Sequence, residues 1–103
     1  MSSNYLYSSL PTFSQSPTKS LTVDATAGGV AFAAPTNVGA QIWFDVQDAD
    51  VMATFDGATA PTSSVGHRLS AGEKYRLQAG DAVKAKFIRQ GAVNARIQYS
   101  EVV

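Results

Sequence analysis

Gln41-Ile42-Trp43-Phe44-Asp45-Val46-Gln47 reads as a β-strand with one face in a core. Successive side chains on a strand point to opposite sides, so a period of two gathers Ile42, Phe44 and Val46 on one face and leaves Gln41, Trp43, Asp45 and Gln47 on the other. The same period recurs on both sides of this stretch. Toward the C-terminus, Val51, Ala53 and Phe55 alternate with Met52 and Thr54, and Tyr75, Leu77 and Ala79 with Lys74, Arg76 and Gln78. Val83, Ala85 and Phe87 alternate with Lys84, Lys86 and Ile88, and Val93, Ala95, Ile97 and Tyr99 with Asn94, Arg96, Gln98 and Ser100. Toward the N-terminus, Leu21, Val23 and Ala25 oppose Thr22 and Asp24, and Val30 to Ala33 reads as one more short strand. Turn formers punctuate the series at Gly28-Gly29, Pro35 to Gly39, Asp48-Ala49-Asp50, Asp56 to Gly66, Ser70-Ala71-Gly72, Gly80-Asp81 and Gln90-Gly91. Short strands separated in this way leave almost no room for helix. They predict an all-β fold, an antiparallel β-sandwich or small jelly-roll-like barrel, over residues 21–103.

Residues 1–20 differ in kind. They hold seven serines, Pro11 and Pro17, and a single charge at Lys19, a composition that supports no packed unit of its own. Tyr5, Leu6, Tyr7, Leu10 and Phe13 interrupt the polar background, and such groups gain nothing in water. The segment reads as an extended N-terminal arm that docks on a neighbour, with Tyr5, Tyr7, Leu10 and Phe13 as contact residues; the alternative is a loose terminus whose apolar residues fold back on their own domain.

The whole chain, 103 residues, has the length of one domain. Lys plus Arg equal Asp plus Glu at eight each, which gives no electrostatic reason to expect nucleic acid or an anionic membrane as a partner. The absence of cysteine excludes a disulfide framework, a thiolate nucleophile and a Cys-ligated zinc. The longest apolar run, Val30 to Ala34, is far shorter than the roughly 18 residues that cross a bilayer. The first twenty residues lack the basic start and apolar stretch of a secretory signal, so none is expected. Charged residues make up only 16%, below the roughly 25% of an average domain, as expected of a surface that is partly covered by something else. The charge is also uneven, with a net of −3 over residues 1–72 and +3 over residues 73–103. Lys74, Arg76, Lys84, Lys86 and Arg96 all take the outward phase, which suits either one basic sheet face that an acidic neighbour meets or ordinary solvated strand faces that discourage edge pairing.

Catalytic readings find little support. His67, the only histidine, lies in Gly66-His67-Arg68 with Ser63 and Ser64 nearby, but no Gly-x-Ser-x-Gly elbow is present, and a turn histidine bonded locally is the better reading. Asp45, Asp48, Asp50 and Asp56 lack the ligand spacing, central glycine and closing glutamate of a calcium loop, and read as turn caps. The glycine-rich stretches precede strands, so no phosphate cradle or bound cofactor is expected. Trp43 is more informative. An indole on the polar phase of the most apolar strand, flanked by Gln41, Asp45 and Gln47, suits a protein partner or a sugar ring, although a central strand buried on both faces would also explain it.

From Ile42 to Tyr99 the chain carries Phe55-Asp56-Gly57, Pro61-Thr62, Gly66-His67-Arg68-Leu69, Gly72-Glu73 and Phe87-Ile88-Arg89-Gln90-Gly91 between strands. This pattern resembles small β-rich structural proteins of tailed bacteriophage virions. The resemblance implies a non-enzymatic virion protein made in the host cytoplasm, above all a capsid cement or decoration protein. Such a protein is commonly a homotrimer that bridges subunits of the major capsid protein. It supplies no catalytic residue. Together with the residue-level reading it nominates Tyr5, Tyr7, Leu10, Phe13, Trp43, Lys84, Lys86 and Arg96 as contact positions. The alternative is a tail-associated structural or glycan-binding adhesion module.

Overall fold

The structure is a computed structural model that describes residues 18–37 and 39–102. The elements run β1 (Lys19–Val23), β2 (Gln41–Gln47), β3 (Val51–Thr54), β4 (His67–Leu69), β5 (Lys74–Gln78), α1 (Ala79–Ala82), β6 (Lys86–Arg89) and β7 (Ala95–Val102). They form two antiparallel sheets that do not close into a barrel, a four-stranded sheet in the order β1-β7-β2-β5 and a three-stranded sheet in the order β4-β3-β6. The all-β sandwich expected from the period of two is therefore the observed class.

The inner phase of each strand supplies the core. Val23, Ile42, Phe44, Val46, Ala95 and Ile97 from the four-stranded sheet meet Val51, Ala53, Leu69 and Phe87 from the three-stranded one. Phe32 belongs to no strand, yet its ring packs at centroid distances of 5.3 Å from Phe44, 5.0 Å from Phe87 and 4.6 Å from Tyr99. Edge-to-face and tilted geometry places the positive ring edge on a neighbour's negative face, so this cluster joins the sheets by more than area alone. The Tyr99 hydroxyl also accepts the Ala33 amide at 3.1 Å, which holds the segment carrying Phe32 in place.

Several local readings are corrected. Val30 to Ala33 is no strand. It makes a single bridge in which the amides and carbonyls of Val30 and Phe87 pair at 2.7 and 2.8 Å, and then turns inward at Phe32. Val83 to Ala85 is not the start of a strand either. The Val83, Lys84 and Ala85 amides donate back to the carbonyls of Ala79, Asp81 and Ala82, so α1 and its closing turns absorb the apparent alternation, and Val83 is 60% exposed. Small Ala79 and Ala82 let this turn sit against the core. Val93 is also exposed, in the loop before β7. Conversely, β4 emerges from the end of what reads as turn, because pairing Val51 with Leu69 and Ala53 with His67 satisfies the free edge of β3. The strand β1 begins at Lys19, inside the segment read as arm, and pairs Lys19 with Tyr99 through Val23 with Ala95. The arm positions Tyr5, Tyr7, Leu10 and Phe13 lie outside the described residues.

Candidate functional site

The outer face of the four-stranded sheet is laid out in rows by register. Trp43 on β2 stands opposite Ser100 on β7 and Arg76 on β5. Thr18, just before β1, continues this row through a hydroxyl contact with Ser100 at 3.3 Å. The next row is Ser20, Gln98, Asp45 and Lys74, and the one after it Thr22, Arg96 and Gln47. Because β2 is central, both its neighbours present side chains to Trp43. A groove of about 500 Å³ follows, whose lining includes Trp43, Asp45, Lys74, Arg76, Gln98 and Ser100.

Local chemistry fixes the indole. Trp43 Nε1–H donates to Gln41 Oε1 at 2.8 Å, two residues away on the same face. The Arg76 guanidinium carbon stands 5.9 Å from the ring centroid, within the range where a cation is attracted by the ring quadrupole. Gln47 Nε2–H donates to Asp45 Oδ2 at 2.7 Å, and Gln98 Nε2–H to Ser20 Oγ at 3.2 Å. Trp43 is half-buried, and the strand is not covered on both sides by core. The polar groups around the indole are thus already oriented by one another, as a recognition surface requires if binding is not to cost their ordering.

The contact residues expected from sequence do not all converge. Arg96 is on the groove's sheet, where Nη2–H donates to Gln47 Oε1 at 3.0 Å and Nε stands 3.6 Å from Asp48 Oδ2. Lys86 lies on β6 of the other sheet, opposite Thr54, and Lys84 in the turn after α1 beside Gly57. The single basic face is therefore overturned: the five outward cations are divided between two sheets and a turn. Antiparallel pairing also sets second-half strands against first-half ones, with Lys74 opposite Asp45 and Arg96 opposite Gln47, so the charge imbalance along the sequence is largely interleaved in space.

The remaining polar candidates are structural in their contacts. His67 opens β4 with its ring nearly parallel to Phe55, 25° between planes at 6.1 Å, in a shallow depression with Thr54, Asp56, Thr59 and Val65. Ser64 instead gives its amide to Thr62 Oγ1 within its own turn. The Asp56 carboxylate accepts the Ala58 amide at 2.9 Å and both the amide and hydroxyl of Thr59, at 2.8 and 2.6 Å, and these bonds hold its pKa down at about 2. Asp24 likewise caps Thr26, whose hydroxyl and amide lower its pKa, and Asp50 accepts the Ala71 amide and the Arg68 guanidinium, which lower its own. Among the described residues no group of three His, Asp or Glu side chains is placed to hold a metal ion.

One polar residue escaped the sequence reading. Glu101 extends the inward phase of β7 past Tyr99 and is buried at 8% exposure. Its carboxylate accepts the Thr36 amide at 3.0 and 3.1 Å, the Thr36 hydroxyl at 3.2 Å and the Asn37 amide at 3.2 Å. These bonds, the Thr36 amide first, lower its pKa. The signal was present in the sequence: an acid two residues after Tyr99 falls on the core phase, where it requires partners.

No family model, curated protein or solved structure matches the chain.

Proposed function

We propose that this protein is a non-catalytic structural component of a phage virion, a capsid cement or decoration protein. On this reading it acts as a homotrimer and bridges neighbouring copies of the major capsid protein on the capsid surface. The observation that carries the reading is the outer face around Trp43: a half-buried indole with its Nε1–H on Gln41 and the Arg76 guanidinium beside its ring, at the centre of a groove. Aromatic and Arg side chains of this kind anchor protein interfaces because they bury large, pre-oriented area. The sequence resemblance points the same way. A closed symmetric oligomer multiplies such contacts, since once one copy engages, the others bind intramolecularly, and a weak individual contact suffices. The arm residues Tyr5, Tyr7, Leu10 and Phe13 would add to the same contacts.

The test is direct. Sedimentation of the purified protein is expected to give a trimer, and co-sedimentation with assembled capsids of the same phage is expected to show saturable binding that Trp43→Ala weakens. A stable monomer without capsid affinity overturns the proposal. A second reading, a glycan-binding adhesion module, is favoured by one feature, the row of Gln98, Asp45 and Lys74 beside the indole. A glycan array with wild type and Trp43→Ala decides it: signal lost in the variant supports a sugar site, and a blank array removes it.

A further inference from the structure

The four-stranded sheet ends on β5, and the backbone of this edge is open. Ala79 gives its amide to the Ala40 carbonyl at 3.0 Å, and Val46 gives its own to the Glu73 carbonyl at 3.1 Å. These two pairs continue the β2–β5 register by one step at either end. Directly opposed pairs in an antiparallel ladder alternate between bonded and non-bonded, so the bonded pairs between them are Ile42 with Leu77 and Phe44 with Tyr75. The amides of Lys74, Arg76 and Gln78 and the carbonyls of Lys74 and Arg76 therefore point away from β2. They meet no hydrogen-bond partner among the described residues. The other edges differ. On β6 the Phe87 amide is taken by the Val30 carbonyl and the Arg89 amide by that of Asp24. The strand β4 is three residues long, and its Arg68 is engaged by Asp50. On β1 the groove-side residues Ser20 and Thr22 carry no charge.

The side chains of β5 specify what pairs there. Lys74 and Arg76 are exposed on the groove face beside Trp43, and neither makes an ion pair among the described residues, although Asp45 stands opposite Lys74. On the other phase, Tyr75 and Leu77 are only half-buried at the rim of the core. A strand whose side chains alternate between carboxylate and apolar satisfies both faces, with its acids beside the two cations and its apolar groups over Tyr75 and Leu77. A second copy of β5 does not, because pairing about a two-fold axis sets Arg76 against Arg76 or against Lys74. Edge cations deter such self-pairing, and the same charges admit an acidic strand.

We propose that the β5 edge is a docking site for an extended acidic segment of a partner protein, which adds to the sheet as a fifth strand with its carboxylates on Lys74 and Arg76. The site goes beyond the virion assignment and does not depend on it. Capsid binding and trimerisation can fail while the edge still takes its strand, and the reverse also holds.

The probe is a synthetic peptide of about ten residues, the length of a long strand, in which glutamate and valine alternate. Two controls have the same length, one with lysine in place of glutamate and one with proline at its central positions. Titrated into the full-length protein, the glutamate peptide is expected to change Trp43 emission and to slow hydrogen exchange at the Arg76 and Gln78 amides, read by NMR. Lys74→Glu with Arg76→Glu is expected to weaken it by about tenfold or more, as two exposed attractive pairs become repulsive. Should charge reversal disturb the fold, Lys74→Gln with Arg76→Gln is read in the same way, with a smaller loss. No binding of the glutamate peptide, or equal binding of the lysine peptide, overturns the proposal. Equal binding of the proline peptide also overturns it, since charge attraction then acts without strand addition. Amides of Arg76 and Gln78 that become protected in the protein alone as its concentration rises make a second copy the occupant and overturn it as well.

Discussion

Glu101 shows how one side chain holds a loop to a sheet. Its carboxylate gathers two amides and a hydroxyl from Thr36 and Asn37, and these bonds are strongest while it is ionised. A pKa lowered in the folded state contributes stability that is fully present above the unfolded value near 4.5 and is lost as pH falls through the folded value. Glu101→Gln is therefore expected to flatten the acid limb of a thermal-stability profile below that pH, and Glu101→Ala to cost about 1–3 kcal/mol at neutral pH by denaturant titration. An acid limb unchanged in Glu101→Gln would show that other carboxylates set it. Gly66 makes a different demand, since its φ is +127° and a Cβ there would stand 2.8 Å from the Ala53 carbonyl oxygen on the paired strand. Gly66→Ala is expected to destabilise by about 1–3 kcal/mol, the usual cost of a side chain forced into such a conformation. Gly72→Ala, at φ +90° but with nothing within 4 Å, carries the conformational cost alone and is expected to fall below it on the same melting assay.

At the scale of elements, legibility followed burial. Where one face is in the core and the other in solvent, as on β2 and β5, the period of two in the sequence is the period in the structure. On β3, Val51, Met52, Ala53 and Thr54 are all buried, so the alternation read there carries no face, and only length and flanking turns mark the strand. The three-residue strand β4 was not legible because its existence depends on the edge of β3. Phe32 was placed on a strand and instead sits in a connecting segment, held by the Val30–Phe87 bridge and the Tyr99 hydroxyl, both long-range partners. The Trp43 face was legible from its phase. The division of Lys84 and Lys86 from Arg96 was not, because sheet membership is decided by pairing and leaves no trace in local spacing. This assigns Phe32 a measurable role: Phe32→Ala is expected to cost about 3–5 kcal/mol, the range for deleting a buried phenyl ring. Val83→Ala, at an exposed position, is expected to stay within about 0.5 kcal/mol in the same urea titration. Similar losses at both sites would show that Phe32 is not the bridge between sheets.

Over the whole molecule, closure is decided by the most distant partners. The strand β7 lies between β1 and β2, so the four-stranded sheet is incomplete until the last strand has been added to the first, with Lys19 opposite Tyr99. Such pairing must overcome the entropy of closing almost the entire chain before its contacts contribute, which places folding at about milliseconds to seconds, the range of non-local β-topologies. The two sheets share a single core through Phe32, Phe44 and Phe87, so neither retains its buried face when the other opens. Unfolding is accordingly expected to be one transition. Trp43 emission reports the four-stranded sheet, and the methyl resonance of Met52 reports β3 of the other. Urea titrations followed by the two probes are expected to share one midpoint, and stopped-flow refolding followed at Trp43 to show one main phase. Two separate midpoints would mean that the sheets are independent units, and that the aromatic cluster around Phe32 does not couple the groove face to the rest of the protein.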